Sequence, residues 1–126
     1  MLQVYKNKAF YKWANKAGIS DQALYDAALE VNAGFFEANL GGNVYKKRIA
    51  LGGKGKSGGG RTLLALKRNE RLFFIYAFKK SDKANVTEKE ERALKELADV
   101  LLGLSDKQIE KLLCEQKLFL LEVSDG

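Results

Sequence analysis

The sequence contains no histidine and only one cysteine, Cys114. A single cysteine excludes an intramolecular disulfide, and without histidine a conventional zinc site is not expected. The longest apolar runs, such as Leu72 to Phe78, are too short to span a bilayer. The N-terminal residues lack the hydrophobic segment of a signal peptide. We therefore expect a cytoplasmic protein that uses no metal and no other cofactor.

Acidic residues are nearly missing from the middle of the chain. Residues 44–80 hold eleven lysines or arginines and one acid, Glu70, whereas residues 1–43 balance four of each and residues 81–126 are net acidic. Because each neutralised phosphate releases condensed counterions, such a concentrated basic region favours a polyanion-binding surface. A solvated, lysine-rich sheet face is the alternative interpretation.

The helices are predicted from apolar spacing and capping residues. Apolar residues three and four apart predict a helix over 7–17, ended by Gly18. A second helix is capped by Ser20 or Asp21 and stops at Gly34. Capping boxes open two more helices, at 87–90 and 105–108. Cys114 falls beside the apolar stripe of the last helix, so we interpret it as a core or boundary residue rather than a nucleophile.

The strands are predicted from runs of aliphatic and aromatic residues. Residues 35–43 have the composition of a loop that ends in a turn, and 118–123 are consistent with a strand or an apolar tail. Together these elements predict one α+β domain over 1–126, with two helices in front of an antiparallel sheet and helices behind it. The predicted strands are 2–5, 44–51, 61–68 and 71–79.

The most unusual segment is LGGKGKSGGGR at 51–61, with six glycines, two lysines and an arginine. Gly55-Lys56-Ser57 matches the end of a nucleotide-binding P-loop, but the first glycine of that motif is replaced by Ala50. The motif must also open a helix, whereas the residues that follow are strand-like. The remaining prediction is a glycine-rich loop between strands whose cations reach an extended polyphosphate.

The loop GKGKSGGGRTLLAL, followed by LFFIYAFKKSDKANVTEKEERALKELA, resembles the RelE superfamily of bacterial toxins, and specifically its HigB-like branch. The resemblance covers roughly residues 44–100. It implies a type II toxin–antitoxin toxin with a small RelE-like fold. The activity it implies is a ribosome-dependent, metal-independent endoribonuclease (an mRNA interferase), in which a ribose 2′-hydroxyl attacks the adjacent phosphate. Since this superfamily commonly uses lysines, arginines and sometimes a tyrosine in place of histidines, the lack of histidine agrees with the resemblance.

The same resemblance assigns roles to individual residues. Lys54 and Lys56 become loop lysines, one of them a candidate base, and Arg61 becomes the stabiliser of the phosphorane. Tyr76 is interpreted as a core residue, and no C-terminal tyrosine corresponds to that of the superfamily. The candidate catalytic residues are Lys54, Lys56, Arg61, Lys79 and Lys80. The candidate RNA-binding residues are Lys46, Lys47, Arg48, Ser57, Lys67, Arg68 and Arg71.

The partners that the resemblance implies are messenger RNA, the ribosome and a cognate antitoxin with a helix-turn-helix domain; no membrane is involved. Two alternatives stay open, a non-enzymatic nucleic-acid-binding module and a ParE-like toxin that acts on DNA gyrase. The presence of Lys54, Lys56 and Arg61 favours the ribonuclease over the ParE-like toxin, since a gyrase inhibitor would not need these residues. The site assignment further implies that Arg61→Ala folds normally and loses cleavage.

Overall fold

A six-stranded sheet lies between two pairs of helices in the computed structural model, which describes residues 2–51 and 59–123. The order of strands across the sheet is β2-β3-β4-β5-β1-β6. The strands are β1 Gln3–Asn7, β2 Ala38–Gly41, β3 Val44–Ile49, β4 Gly60–Lys67, β5 Arg71–Lys79 and β6 Leu118–Leu120. The helices are α1 Lys8–Ala17, α2 Asp21–Asn32, α3 Glu88–Leu102 and α4 Asp106–Cys114. This arrangement confirms the predicted α+β class.

Each helix begins at a side chain that caps a free backbone amide. Ser20 caps α2, and both predicted capping boxes, at Thr87 and Ser105, are formed. The cap of α1 is Asn7, whose side chain accepts a hydrogen bond from the amide of Phe10. These caps explain why the helix starts could be predicted closely. Within 2–51 and 59–123, no helix combines the length and the apolar character needed to cross a membrane.

Strand β5 has core on both of its faces. Leu72 and Phe74 face α1 and α2, whereas Phe73, Ile75 and Phe78 face α3 and α4. Four consecutive residues, 72–75, are at most 3% exposed. The near-continuous apolar run in the sequence is therefore that of a central strand covered on both sides, as predicted.

The prediction of a purely antiparallel sheet is wrong at one pair of strands. β4 and β5 form the predicted antiparallel hairpin, but β1 pairs with β5 in parallel, for example Val4 with Leu72. Between β1 and β5 the chain forms α1, α2 and the three antiparallel strands β2, β3 and β4. This connection is long enough for β5 to enter the sheet in the same direction as β1. Segment 118–123 resolves as strand β6, which pairs antiparallel with β1.

Two local predictions are corrected by the structure. The segment predicted as a loop contains β2, which obtains its hydrogen bonds from β3; the Glu37 amide, just before it, donates to the Lys46 carbonyl at 2.8 Å. A strand of four residues with alternating half-buried positions gives too little apolar signal to be seen in the sequence. The turn predicted at 41–43 is confirmed, with positive φ angles at all three residues. Cys114, expected at the core or its boundary, is exposed because it is the last residue of α4.

A buried ion pair ties the N-terminal and C-terminal parts of the fold together. Lys6, on β1, has a side chain only 6% exposed, and its Nζ lies 2.7 Å from Oδ1 of Asp21 at the start of α2. The other oxygen of Asp21 accepts a hydrogen bond from the Glu122 amide at 3.1 Å. The carboxylate of Asp21 therefore links β1, the start of α2 and the segment that follows β6.

We predict that Asp21→Asn lowers the free energy of unfolding by about 2–4 kcal/mol, because the buried ammonium of Lys6 loses its counter-charge. Urea unfolding followed by circular dichroism measures the change. The double variant Lys6→Met/Asp21→Asn should recover part of the loss, since no buried charge then remains unpaired. A single variant as stable as the wild type would show that the pair contributes nothing.

Candidate nucleic-acid interface

Four of the predicted basic residues, Arg48, Arg61, Lys79 and Lys80, lie at one end of the sheet, where β3 finishes, β4 starts and β5 finishes. In the strand register Arg48 lies opposite Arg61, and Arg61 lies opposite Phe78. Lys79 lies opposite Gly60, next to Arg61 along β4. This "Arg61 end" of the sheet is also where the glycine-rich segment joins β3 to β4 in sequence. Lys54, Lys56 and Ser57 belong to that segment and lie outside the described residues.

Arg61 is 5% exposed, although it was predicted to meet a substrate. Its Nε lies 3.5 Å from Oε2 of Glu37, and the same oxygen lies 3.4 Å from Nε of Arg48. One carboxylate therefore serves two guanidinium groups, and this small cluster keeps an excess of positive charge. The sequence analysis missed Glu37, because nothing in its local pattern shows that it meets two arginines from other strands.

Lys79 and Lys80 are both exposed at the tip of β5. The amide of Lys80 donates to the carbonyl of Gly59 at 3.1 Å, so the hairpin continues one residue beyond the last strand pair. The carbonyl of Lys79 accepts hydrogen bonds from the amides of Asp82 and Lys83, at 3.0 and 3.3 Å. A tight turn therefore holds the backbone of both lysines beside the start of β4. Because Lys79 pairs with Gly60 and Arg61 with Phe78, the register places Lys79 on the opposite face of the sheet from Arg61.

The neighbouring cations of β3 differ in how strongly they are engaged. Lys47 is 8% exposed, and its Nζ donates to the Phe35 carbonyl at 3.1 Å and lies 3.3 Å from a Glu30 carboxylate oxygen. Lys46 is half-buried, and its Nζ donates to the side-chain oxygen of Asn85 at 3.4 Å. Lys46 and Arg48 remain accessible to a ligand, whereas the charge of Lys47 is directed into the fold.

Three other predicted RNA-binding residues lie at the opposite end of the sheet. Arg61 and Lys67 are six residues apart on β4, which corresponds to about 20 Å. Lys67 pairs with Glu70 at 3.5 Å, and Arg68 is exposed beside it. Arg71 donates to the Leu104 carbonyl at 2.8 Å and forms an ion pair with Asp106, so it fastens the α3–α4 connection to the sheet. The basic stretch of the sequence is thus divided between two separate places.

A second polar cluster, absent from the sequence analysis, adjoins the Arg61 end on the α3 side of the sheet. Tyr76 donates its hydroxyl to Oε2 of Glu90 at 2.8 Å, and Lys83 Nζ lies 2.5 Å from Oε1. The same Nζ lies 5.7 Å from the ring centre of Tyr76 and 5.6 Å from that of Phe78. Tyr76 is therefore half-buried rather than a core residue. The capping box marked Glu90 as a helix cap, but no signal linked it to Tyr76 or Lys83.

The ionisation of this cluster follows from its contacts. The hydrogen bond from Lys83, followed by those from the Thr87 amide and Tyr76, lowers the pKa of Glu90 from 4.5 to about 2. The hydrogen bond to Glu90 raises the pKa of Lys83 above its usual 10.5. Desolvation, and then the bond to Glu90, raises the pKa of Tyr76 above 10.0. At neutral pH the cluster therefore contains a fixed ammonium and a neutral phenol, and neither is suited to accept a proton.

The described residues offer no ligand set for a metal, since no group of three His, Cys, Asp or Glu side chains comes together within 2–51 and 59–123. The Arg61 end presents two guanidinium groups around one carboxylate and two exposed lysines, and the ammonium of Lys83 lies in the adjoining cluster. Such a surface suits a phosphate-rich ligand.

Comparison with known families agrees with this chemistry. The model of the family described as the RelE toxin of the RelE / RelB toxin–antitoxin system matches residues 2–123. The chain belongs to the RelE toxin family. The match extends well beyond the segment at 44–100 that carried the resemblance in the sequence, and it includes the front helices and β6. No curated protein matches the chain significantly. Membership of a RelE toxin family identifies the protein as a toxin and implies an antitoxin partner.

The acid sensitivity of the fold provides a test of the Tyr76–Lys83–Glu90 cluster. The pKa of Glu90 is depressed in the folded state, so its stabilising effect is complete above about pH 4.5 and is lost as the pH falls toward 2. We therefore predict that Glu90→Gln is less stable than the wild type at pH 6, and that this difference shrinks between pH 4.5 and 2. Urea unfolding at a series of pH values measures it.

Glu88→Gln is the matched control, because Glu88 is exposed in the same first turn of α3 and makes no side-chain hydrogen bond within the described structure. It should leave the pH dependence of stability close to that of the wild type. A Glu90→Gln difference that stays constant over the acid range would contradict the assigned ion pair.

Proposed function

We propose that this RelE-family toxin is a ribosome-dependent endoribonuclease that cleaves messenger RNA at the Arg61 end of its sheet and thereby inhibits translation. The observation that supports the proposal is that Arg48, Arg61, Lys79 and Lys80 all belong to the end of the sheet where the glycine-rich segment joins β4, with Arg48 and Arg61 paired on one face. In the proposed reaction a ribose 2′-hydroxyl attacks the adjacent phosphate and the 5′-oxygen leaves.

Arg61 is proposed to stabilise the phosphorane, because a guanidinium keeps its charge at any physiological pH and presents donors in one plane. Glu37 supports this role, since it already places an anionic oxygen between Arg48 and Arg61. A phosphate oxygen of the substrate would take the place of that carboxylate. Because Arg61 is buried in the described structure and Glu37 occupies its Nε, substrate binding must shift Glu37 before the guanidinium meets the phosphate.

Lys79 and Lys80 are proposed to contact the scissile phosphate and the leaving oxygen. Their position depends on the turn that follows β5, and Lys83 fixes that turn through Glu90 and the two aromatic rings. Lys83 is thus a positioning residue in this proposal. The general base is assigned to Lys54 or Lys56, as in the sequence analysis.

The remaining cations are proposed to guide the protein onto RNA. Lys46 and Arg48 flank the Arg61 end and would contact the RNA backbone next to the cleavage site. Lys47, whose ammonium contacts the Phe35 carbonyl and Glu30, would help to fix strand β3 between them. Ser57 is assigned to the loop that approaches the RNA. Lys67 and Arg68 lie about 20 Å away and would meet ribosomal RNA. Arg71 would contribute long-range charge, since its donors already hold the α3–α4 connection.

The assignment of Arg61 is tested with Arg61→Lys, which keeps the positive charge but removes the planar pair of donors. We predict a loss of messenger RNA cleavage on ribosomes of about 10²- to 10³-fold, the usual effect of removing one preorganised donor to a transition state. Primer extension in a reconstituted translation system measures the rate. Because Arg61 is buried, Arg61→Ala is expected to lose stability as well as activity, so the lysine variant is the cleaner choice.

Arg92→Lys is the matched control, since Arg92 is exposed on α3 and forms none of the ion pairs found at the Arg61 end, and it should cleave at the wild-type rate. Full activity of a folded Arg61→Lys variant would remove Arg61 from the mechanism. A wild-type protein that binds RNA without cutting it would support the non-enzymatic module. Growth arrest with DNA damage and intact translation would support the ParE-like alternative.

A further inference from the structure

Three large apolar side chains are exposed around the end of α2. Leu29, Phe35 and Phe36 are 43%, 68% and 37% exposed, whereas most other large apolar residues of the described structure lie in the two cores. Phe36 lines two adjacent clefts, so the exposed apolar surface is extended rather than confined to one cavity. Exposed apolar surface of this kind on a folded protein indicates a binding site for another macromolecule.

The larger cleft, here named the Phe36 groove, encloses about 400 Å³. Its floor is made by side chains from α2, β3 and β4, and its rim by two cations. The floor includes Val31, Phe36, Tyr45 and Leu66, and the rim Lys67 and Arg68. The residues that line it include no aspartate or glutamate. An occupant that is apolar in the middle and acidic at its edge would complement both features.

The charge on the rim is available to a ligand. Lys67 and Glu70 are 3.5 Å apart and both more than half exposed, an arrangement that contributes little to stability and is easily exchanged. Arg68 has no carboxylate partner within residues 2–51 and 59–123. The two cations thus remain able to pair with acids supplied by a partner.

We propose that the Phe36 groove binds an apolar segment of the antitoxin that is flanked by acidic residues. A protein segment fits better than RNA, because the described residues of the floor are apolar and offer no exposed aromatic face on which a base could stack. Its two aromatic rings, Phe36 and Tyr45, pack against each other at 4.9 Å and 59° instead of opening a flat face to a base. Phe35, the most exposed of the apolar residues, extends the same surface past the second cleft.

The position of the groove indicates how such a partner would act. Lys67 lies about 20 Å along β4 from Arg61, so a segment confined to the Phe36 groove covers Lys67 and Arg68 and leaves Arg61 uncovered. A segment that continued past Phe35 would reach the second cleft, which Glu37 and Arg48 line. Neutralisation would then exclude the toxin from the ribosome without filling the site of cleavage. This consequence rests on the proposed function, whereas the docking itself does not.

Hydrogen exchange of the toxin, alone and in complex with its purified antitoxin, tests the docking without any assay of cleavage. Backbone amides at 29–36 and 66–68 should exchange more slowly in the complex. Protection confined to other surfaces, such as β6 or α3, would overturn the proposal.

A pair of matched variants gives the second test. Phe36→Asp places a negative charge inside the Phe36 groove, beside the acidic residues expected of the partner, and should weaken antitoxin binding by about tenfold or more in a titration. Val100→Asp introduces the same charge at an apolar residue 62% exposed on α3 and should bind as the wild type does. If Phe36→Asp binds antitoxin normally but loses affinity for ribosomes, the groove is an RNA contact and the proposal fails.

Discussion

The burial of β5 on both of its faces is the constraint on which the rest of this structure depends. Phe73 and Phe74 point into opposite cores, so β5 cannot move without disturbing both helix layers. Strands β4 and β1 both pair with β5, so the position of β5 fixes the positions of its two neighbours in the sheet. Its two ends consequently lie at fixed places, with Arg71 beside the α3–α4 connection and Lys79 beside the start of β4.

The positions of the acidic residues determine which of the clustered basic side chains form structural ion pairs and which remain exposed. Glu30 and Asp106 direct Lys47 and Arg71 into structural contacts, whereas the single carboxylate of Glu37 is shared by two arginines. The basic stretch that looks uniform in the sequence therefore becomes two separated sites. One is the Arg61 end, proposed here to meet RNA, and the other is the rim of the Phe36 groove, proposed to meet the antitoxin.

The features that sequence could predict are those set by nearby residues. The helix caps at Ser20, Thr87 and Ser105 and the β4–β5 hairpin depend on contacts within a few positions, and all are confirmed. Strand β2 was missed because its stability comes from β3 and not from its own four residues. Likewise, Glu37 meets Arg61 from 24 positions away, and the parallel pairing of β1 with β5 joins residues 68 positions apart. Such contacts leave no periodic trace in the sequence.

The central proposal is that this toxin cleaves messenger RNA by attack of a 2′-hydroxyl on the adjacent phosphate at the Arg61 end of its sheet. The chemical ends of RNA cut in a reconstituted translation system test it most directly. The account predicts new 5′-hydroxyl ends paired with 2′,3′-cyclic phosphates, formed when ribosomes are present and not in their absence. New 5′-phosphate ends, which require attack by water and departure of the 3′-oxygen, would contradict it, and so would the absence of any cut on ribosomes.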